Sequence, residues 1–361
     1  MKFSSDIKLV LEDGSEFNGK SFGYEGSISG EVVFNTALSG YTESFSDPSY
    51  NGQILVMTYP LIGNYGIPNR EMEYDMLKHF ESEKARISAL VVTDYSEQHS
   101  HWNAAQSLAS WLKEFKVPAI TGVDTRAITK LLREKGAMLG KIVYRNQEIV
   151  IDNPYKRHLV DEVSCKEVIT HGSGKYKIVL VDCGVKFNII RYLLADDVTV
   201  VRVPWDYDFT EEEMDGLFIS NGPGDPARCE ATIKNIAKFY KKDIPIMGIC
   251  LGNQLMGLAA GAKTFKLPYG HRSHNQPVIR TGSKSAFVTA QNHSFAIDSN
   301  TIGNEWEMFY TNLNDGTNEG IRHQTKPFFS AQFHPEASSG PDDTGYLFEQ
   351  FMIAVKQKKG C

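Results

Sequence analysis

A cysteine framed by glycines, Gly248-Ile249-Cys250-Leu251-Gly252, carries the strongest chemical signal in this chain. An apolar run over 244–249 enters the frame, and a helix-forming run over 254–260 leaves it. That order suits a nucleophile elbow: the central residue is forced into strained backbone geometry, and the glycines let strand and helix approach closely. At a helix N-terminus the dipole favours the thiolate, the reactive form of cysteine. A free cysteine is more often a small core residue. The glycine frame separates Cys250 from Cys165, Cys183, Cys229 and Cys361, which read as inert. Acyl transfer is the chemistry expected of Cys250.

Such chemistry needs a base, an acceptor to orient it, and donors for the oxyanion. His334-Pro335-Glu336 follows an apolar run over 328–333, so an imidazole and a carboxylate leave a strand end together. Pro335 fixes the backbone between them. Ser220-Asn221-Gly222-Pro223-Gly224-Asp225-Pro226 follows the apolar run 216–220. Alone it is a turn; beside the elbow in one sheet it becomes an oxyanion and substrate loop. Of the ten histidines, most fall in polar stretches. His271 and His274 read as a solvated loop rather than a metal pair, and His99 and His101 as surface residues. No metal site is expected. Gly172-Ser173-Gly174-Lys175 does not make a phosphate loop, because Ile169 replaces the first glycine, Tyr176 replaces Ser or Thr, and a strand follows rather than precedes it.

The elements that position these residues lie in the last ~185 residues. Strand-like runs at 177–181, 198–203, 216–220 and 244–249 alternate with helical runs at 186–194 and 231–240. This predicts a doubly wound, mostly parallel sheet whose ligands bind at the carboxyl ends of the strands. Residues 1–150 read as a separate α/β domain, with strands at 7–11, 15–18, 31–35 and 53–58 and helices at 104–115 and 125–135. The polar stretch 151–175 reads as a linker, which leaves 176–361 as the second domain.

Composition agrees with a two-domain globular chain of 361 residues, 41% hydrophobic and 23% charged. A net charge of −6 gives no reason to expect nucleic acid, and Lys356, Lys358 and Lys359 read as a solvated helix end. No apolar run approaches the ~18 residues needed to span a bilayer, and Met1 to Asp6 show no secretion signal. Five unpaired cysteines without a CxxC spacing fit a reducing cytoplasm.

The loop at 220–226, the frame around Cys250 and the His334-Pro335-Glu336 triplet together resemble the signatures of class I, triad-type glutamine amidotransferases. Further segments are similar to the small subunit of carbamoyl phosphate synthetase: Gly30-Glu31-Val32-Val33-Phe34-Asn35-Thr36, Gly40-Tyr41-Thr42-Glu43, Asp47-Pro48-Ser49-Tyr50, 58–66, 122–126 and 290–295. The resemblance implies a Cys250 glutamyl thioester, His334 as proton shuttle, Glu336 as its orienter, and the backbone amides of Gly222 and Leu251 as the oxyanion hole. It implies that Ser49, Gly222, Gly224, Leu251, Gln254, Asn292, Ser294 and Phe295 hold L-glutamine. No cofactor is expected on this chain; ATP and Mg belong to a large-subunit partner, in a heterodimer or higher assembly. That partner would receive ammonia and make carbamoyl phosphate for pyrimidines and arginine. A non-catalytic scaffold of a synthetase, or a glutaminase serving guanylate or anthranilate synthesis, are the other readings. Asn253, Ser294 and Arg272-Ser273 depart from the family pattern.

Overall fold

Alternation of apolar and polar residues builds the first unit, Met1–Leu159. The computed structural model describes residues 7–195 and 197–360. Seven strands close into a barrel: β1 (Ile7–Leu11), β2 (Glu16–Ser21), β3 (Ile28–Asn35), β4 (Gln53–Met57), β5 (Ala89–Val91), β6 (Ala119–Thr121) and β7 (Met138–Tyr144), in the order β1-β7-β3-β4-β5-β6-β2. The β3-β4-β5-β6 run is parallel and the rest antiparallel. Three helices accompany the barrel: α1 (Tyr41–Ser46), α2 (Leu108–Glu114) and α3 (Thr125–Lys135). The helix expected over 104–115 starts later, because Ser107 caps it by accepting from the Ser110 N–H, and Ala104–Gln106 instead pairs as a strand with Ile67–Pro68.

The second unit, Val160–Cys361, is built on one ten-stranded sheet. Its strands are β8 (Ile169–His171), β9 (Tyr176–Asp182), β10 (Val198–Pro204), β11 (Gly216–Ile219), β12 (Ile246–Ile249), β13 (Thr264–Arg280), β14 (Ala286–Ile297), β15 (Trp306–Asn312), β16 (Asn318–His323) and β17 (Phe328–Ala331). The expected doubly wound sheet is its parallel centre, β10-β9-β11-β12-β17. Antiparallel β8 extends one edge, and β16, β15, β13 and β14 extend the other. Helices α4 (Phe187–Leu194), α5 (Glu230–Phe239), α6 (Leu251–Ala259) and α7 (Tyr346–Lys359) complete the unit. Both faces are covered. Phe218 packs on Phe348 and Phe351 of α7, while its neighbours Leu217 and Ile219 join Ile236 and Phe239 of α5 and Leu251, Leu255 and Met256 of α6.

The stretch 151–175, expected as a linker, holds the turn Pro154–Lys156, the short helix Leu159–Val163 and β8, and the units part at Leu159 and Val160. One expectation needs correction. His271 does not sit in a solvated loop but is buried in the 17-residue β13, whose frequent polar residues hide its extended pattern. Met1 to Asp6 and Cys361 lie outside the described residues. Among the described residues no helix is long and apolar enough to cross a membrane.

Candidate active site

The parallel strands release their carboxyl ends to one edge, and the order of β9 and its two neighbours reverses direction there. Cys250 directly follows β12 and caps α6 with φ 54° and ψ −103°. An L-residue held so costs on the order of 1–3 kcal/mol and persists only where its surroundings dictate it. Here they do. The Cys250 N–H donates to the Ala331 carbonyl at 2.8 Å. A Cβ at Gly248 would lie 2.7 Å from the Gly252 carbonyl carbon, and one at Gly252 2.2 Å from the Ile219 oxygen. Only glycines allow the helix this close to the sheet. The thiol itself contacts the Asn292 carbonyl on β14 at 3.6 Å.

His334 and Glu336 leave β17 beside it. The His334 N–H donates to the Ala290 carbonyl at 2.9 Å, and its Nδ1 lies 2.7 Å from Glu336 Oε1. The remaining ring nitrogen, Nε2, is buried, and the Cys250 sulfur is among the groups acting on the imidazole. Lys186 Nζ donates to the same Glu336 oxygen at 3.0 Å, and Asn188 Nδ2 donates to the Glu336 carbonyl. Cys250, His334 and Glu336 are each at most 3% exposed. Burial lowers the His334 pKa, but the Glu336 carboxylate and the Cys250 sulfur outweigh it and raise it to about 10. Burial likewise pushes Glu336 up, while Lys186 and His334 pull it down to about 2. The site therefore favours an imidazolium beside the sulfur, oriented by an ionised carboxylate. Nearby His274 is held neutral, its pKa lowered to about 4 by burial and by the positive Lys186 and His334.

The loop after β11 packs against the elbow. A Cβ on Gly222 would meet the Cys183 oxygen at 2.0 Å and Leu251 Cδ2 at 2.8 Å. Ser220 Oγ accepts from the Cys183 N–H at 2.9 Å, and Asn221 Oδ1 accepts from the Lys186 N–H at 3.1 Å, which fastens the loop to the end of β9. Gly224 takes φ 91°, a conformation open to glycine. Leu251 is the first residue of α6, so its N–H has no partner inside the helix. On the other side, Gln254 Nε2 donates to the Phe295 carbonyl at 2.8 Å and so fixes α6 to β14.

Residues 179–354 match the family model described as "Glutamine amidotransferase class-I", and residues 9–142 match "Carbamoyl-phosphate synthase small chain, CPSase domain". Over 98% of its length the chain is 48% identical to the "Carbamoyl phosphate synthase arginine-specific small chain" of Neurospora crassa, and it covers 80% of that protein. The chain belongs to the carbamoyl phosphate synthase small-chain family. It is also 49% identical over 98% of its length to "Carbamoyl-phosphate synthase [ammonia], mitochondrial" of Aquarana catesbeiana. To "Multifunctional protein CAD" of Squalus acanthias it is 51% identical over 97% of its length. It spans only 24% and 16% of those two longer proteins.

Within this family member, the second unit carries Cys250, Leu251 and Gln254 on the elbow and α6, Gly222 and Gly224 after β11, Asn292, Ser294 and Phe295 on β14, and His334 and Glu336 after β17. Ser49 lies in the first unit, buried in the turn Pro48–Tyr50, where its N–H donates to Asp47 Oδ1. The departures from the family pattern have partners. Arg272 donates to Ser294 Oγ and to the Tyr269 carbonyl, so two of the unusual residues contact each other. Asn253 is fully buried, donating to Gln332 Oε1 at 3.0 Å and accepting from Ser330 Oγ at 2.7 Å. Sequence reasoning missed Lys186, Asn188 and His274. Lys186 left a trace: a cation at a helix N-cap opposes the dipole, and such local conflicts mark functional positions.

Proposed function

We propose that this chain hydrolyses L-glutamine through a thioester on Cys250 and delivers the ammonia to a large subunit that makes carbamoyl phosphate. The observation that carries this reading is the pairing of a positive-φ Cys250 with a buried His334–Glu336 pair at one sheet edge. The sulfur attacks the side-chain amide carbon of glutamine, and the oxyanion is met by the Gly222 and Leu251 N–H groups. The imidazolium of His334 protonates the departing nitrogen, which leaves as ammonia. His334, now neutral, takes a proton from water as it attacks the thioester; the C–S bond breaks, glutamate departs, and Cys250 is left as thiolate beside the His334 imidazolium. Glu336, paired with Lys186, holds the ring with Nε2 toward the sulfur throughout. Ser49, Gly224, Gln254, Asn292, Ser294 and Phe295 are the further contacts proposed for glutamine.

The partner follows from the small-chain relationship. The residues named here supply a thiol, a base and amide donors but no ATP chemistry. ATP, Mg and bicarbonate then belong to the large subunit, with this chain as one half of a heterodimer and the first unit as its docking surface. Free thiols at Cys165, Cys183, Cys229 and Cys250 support a reducing, cytoplasmic setting. Arginine supply is one fate, supported by the name of the arginine-specific relative, and pyrimidine supply is the other. The thioester is tested by acid-quenching the chain during turnover and mapping the adduct by mass spectrometry. A glutamyl group on the peptide carrying Cys250 supports the reading, and an adduct elsewhere overturns it.

A further inference from the structure

Behind β14, on the side strands of the sheet, lies a second polar cluster that the hydrolysis does not use. His271 on β13 is the direct cross-strand partner of His293 on β14. Glu319 on β16 reaches the same point. All three are buried, and one potential ligand atom from each lies within 4.8 Å of the others. His271 Nδ1 and Glu319 Oε1 are 3.5 Å apart, close to the ~3.4 Å between ligands around a tetrahedral zinc with bonds near 2.1 Å. Gln291 Oε1 sits 3.0 Å from both His271 Nδ1 and His293 Nε2.

The outer partners match those that orient metal ligands. A ligating histidine directs its other ring nitrogen to a carboxylate or a backbone carbonyl, which fixes its tautomer. His271 Nε2 lies 2.8 Å from Asp315 Oδ2, and His293 Nδ1 lies 2.9 Å from the Phe295 carbonyl. With His271 Nε2 turned to Asp315 and His293 Nδ1 turned to the Phe295 carbonyl, His271 Nδ1 and His293 Nε2 are the nitrogens an ion at the centre of the cluster would meet. Glu319 accepts from Asn312 Nδ2 at 2.8 Å through Oε1, while its buried Oε2 has no hydrogen-bond partner. A fully buried carboxylate needs a cation nearby. A divalent ion at the centre of the cluster supplies one.

We propose that His271, His293 and Glu319 form a zinc site, with Gln291 Oε1 as the fourth ligand. The ion ties β13, β14 and β16 together. Because β14 carries Asn292, Ser294 and Phe295, the site braces one wall of the proposed glutamine pocket; only this last consequence rests on the function proposed above.

The test uses the full chain with Cys250→Ser, which removes the reactive thiol as a competing ligand. Zn²⁺ affinity is measured by competition with a chromophoric chelator, and Co²⁺ is added as a spectroscopic probe. The expected result is one tight Zn²⁺ per chain and a tetrahedral Co²⁺ spectrum. Glu319→Gln should abolish both, and Asp315→Asn, which alters only the outer partner, should weaken Zn²⁺ binding about 10–100-fold. Circular dichroism checks that each variant folds. Absence of zinc binding to the Cys250→Ser chain overturns the proposal whatever the variants do, and so does unchanged affinity in folded Asp315→Asn and Glu319→Gln chains. Neither outcome bears on glutamine hydrolysis.

Discussion

Gly222→Ala is a one-methyl perturbation of the proposed oxyanion hole. The new Cβ would stand 2.0 Å from the Cys183 oxygen and 2.8 Å from Leu251 Cδ2, whereas ordinary contacts begin at 3.4 Å. The first neighbour is backbone at the fully buried end of β9, so the loop itself must retreat by more than about 1 Å. That retreat carries the Gly222 N–H away from the reacting centre. Misplacement on this scale, or loss of one oxyanion donor, costs about 100-fold in kcat, roughly 2.7 kcal/mol. Overpacking costs a further 1–3 kcal/mol or so of stability. The assay is steady-state glutamate release by the complex with its large subunit, alongside thermal melting and synthesis from added ammonia. The expected result is a large loss of glutamine-dependent turnover with ammonia-dependent synthesis retained. A variant that melts lower yet keeps kcat within about threefold of wild type would refute the role given to this loop.

Two further outcomes follow from the charges. Lys186→Met leaves the buried Glu336 with the cationic His334 but without its ammonium; loss of about 3 kcal/mol in denaturant melts is expected, and the acid limb of the glutaminase pH profile should move up as the Glu336 pKa rises. An unchanged acid limb would count against Lys186 as the residue that keeps Glu336 ionised. Glu336 also links stability to pH. Its folded pKa of about 2 lies below the ordinary 4.5, so its contribution is present above pH 4.5 and is lost as pH falls toward 2. That contribution is roughly 3 kcal/mol. Melts of wild type and Glu336→Gln across this window should show the steeper loss in wild type; parallel curves would contradict the assignment.

The residues of the candidate site were legible because their signals are local. The elbow needs glycines at fixed offsets from Cys250, and His334 and Glu336 sit two residues apart at a strand end. The parallel centre of the sheet was legible as apolar runs. What the sequence concealed depends on distant pairing. His271 is polar, amid polar neighbours, and its real partner lies across the sheet at His293 rather than three residues away at His274. Lys186 meets Glu336 across 150 positions. The long β13 and β14 lack the clean alternation of a half-buried strand, and closure of the first unit into a barrel rests on pairings such as β1 with β7 that no short window contains. The helix expected over 104–115 begins only at Leu108, because the Ser107 side chain caps it there, a signal that apolar spacing does not carry.

The most direct test of the central claim is reconstitution of the large subunit with wild-type chain or with Cys250→Ser, measuring carbamoyl phosphate formed from glutamine and from ammonia. The account predicts that the substitution abolishes the glutamine-dependent reaction and leaves the ammonia-dependent one intact. Equal glutamine-dependent rates in the two preparations would contradict it.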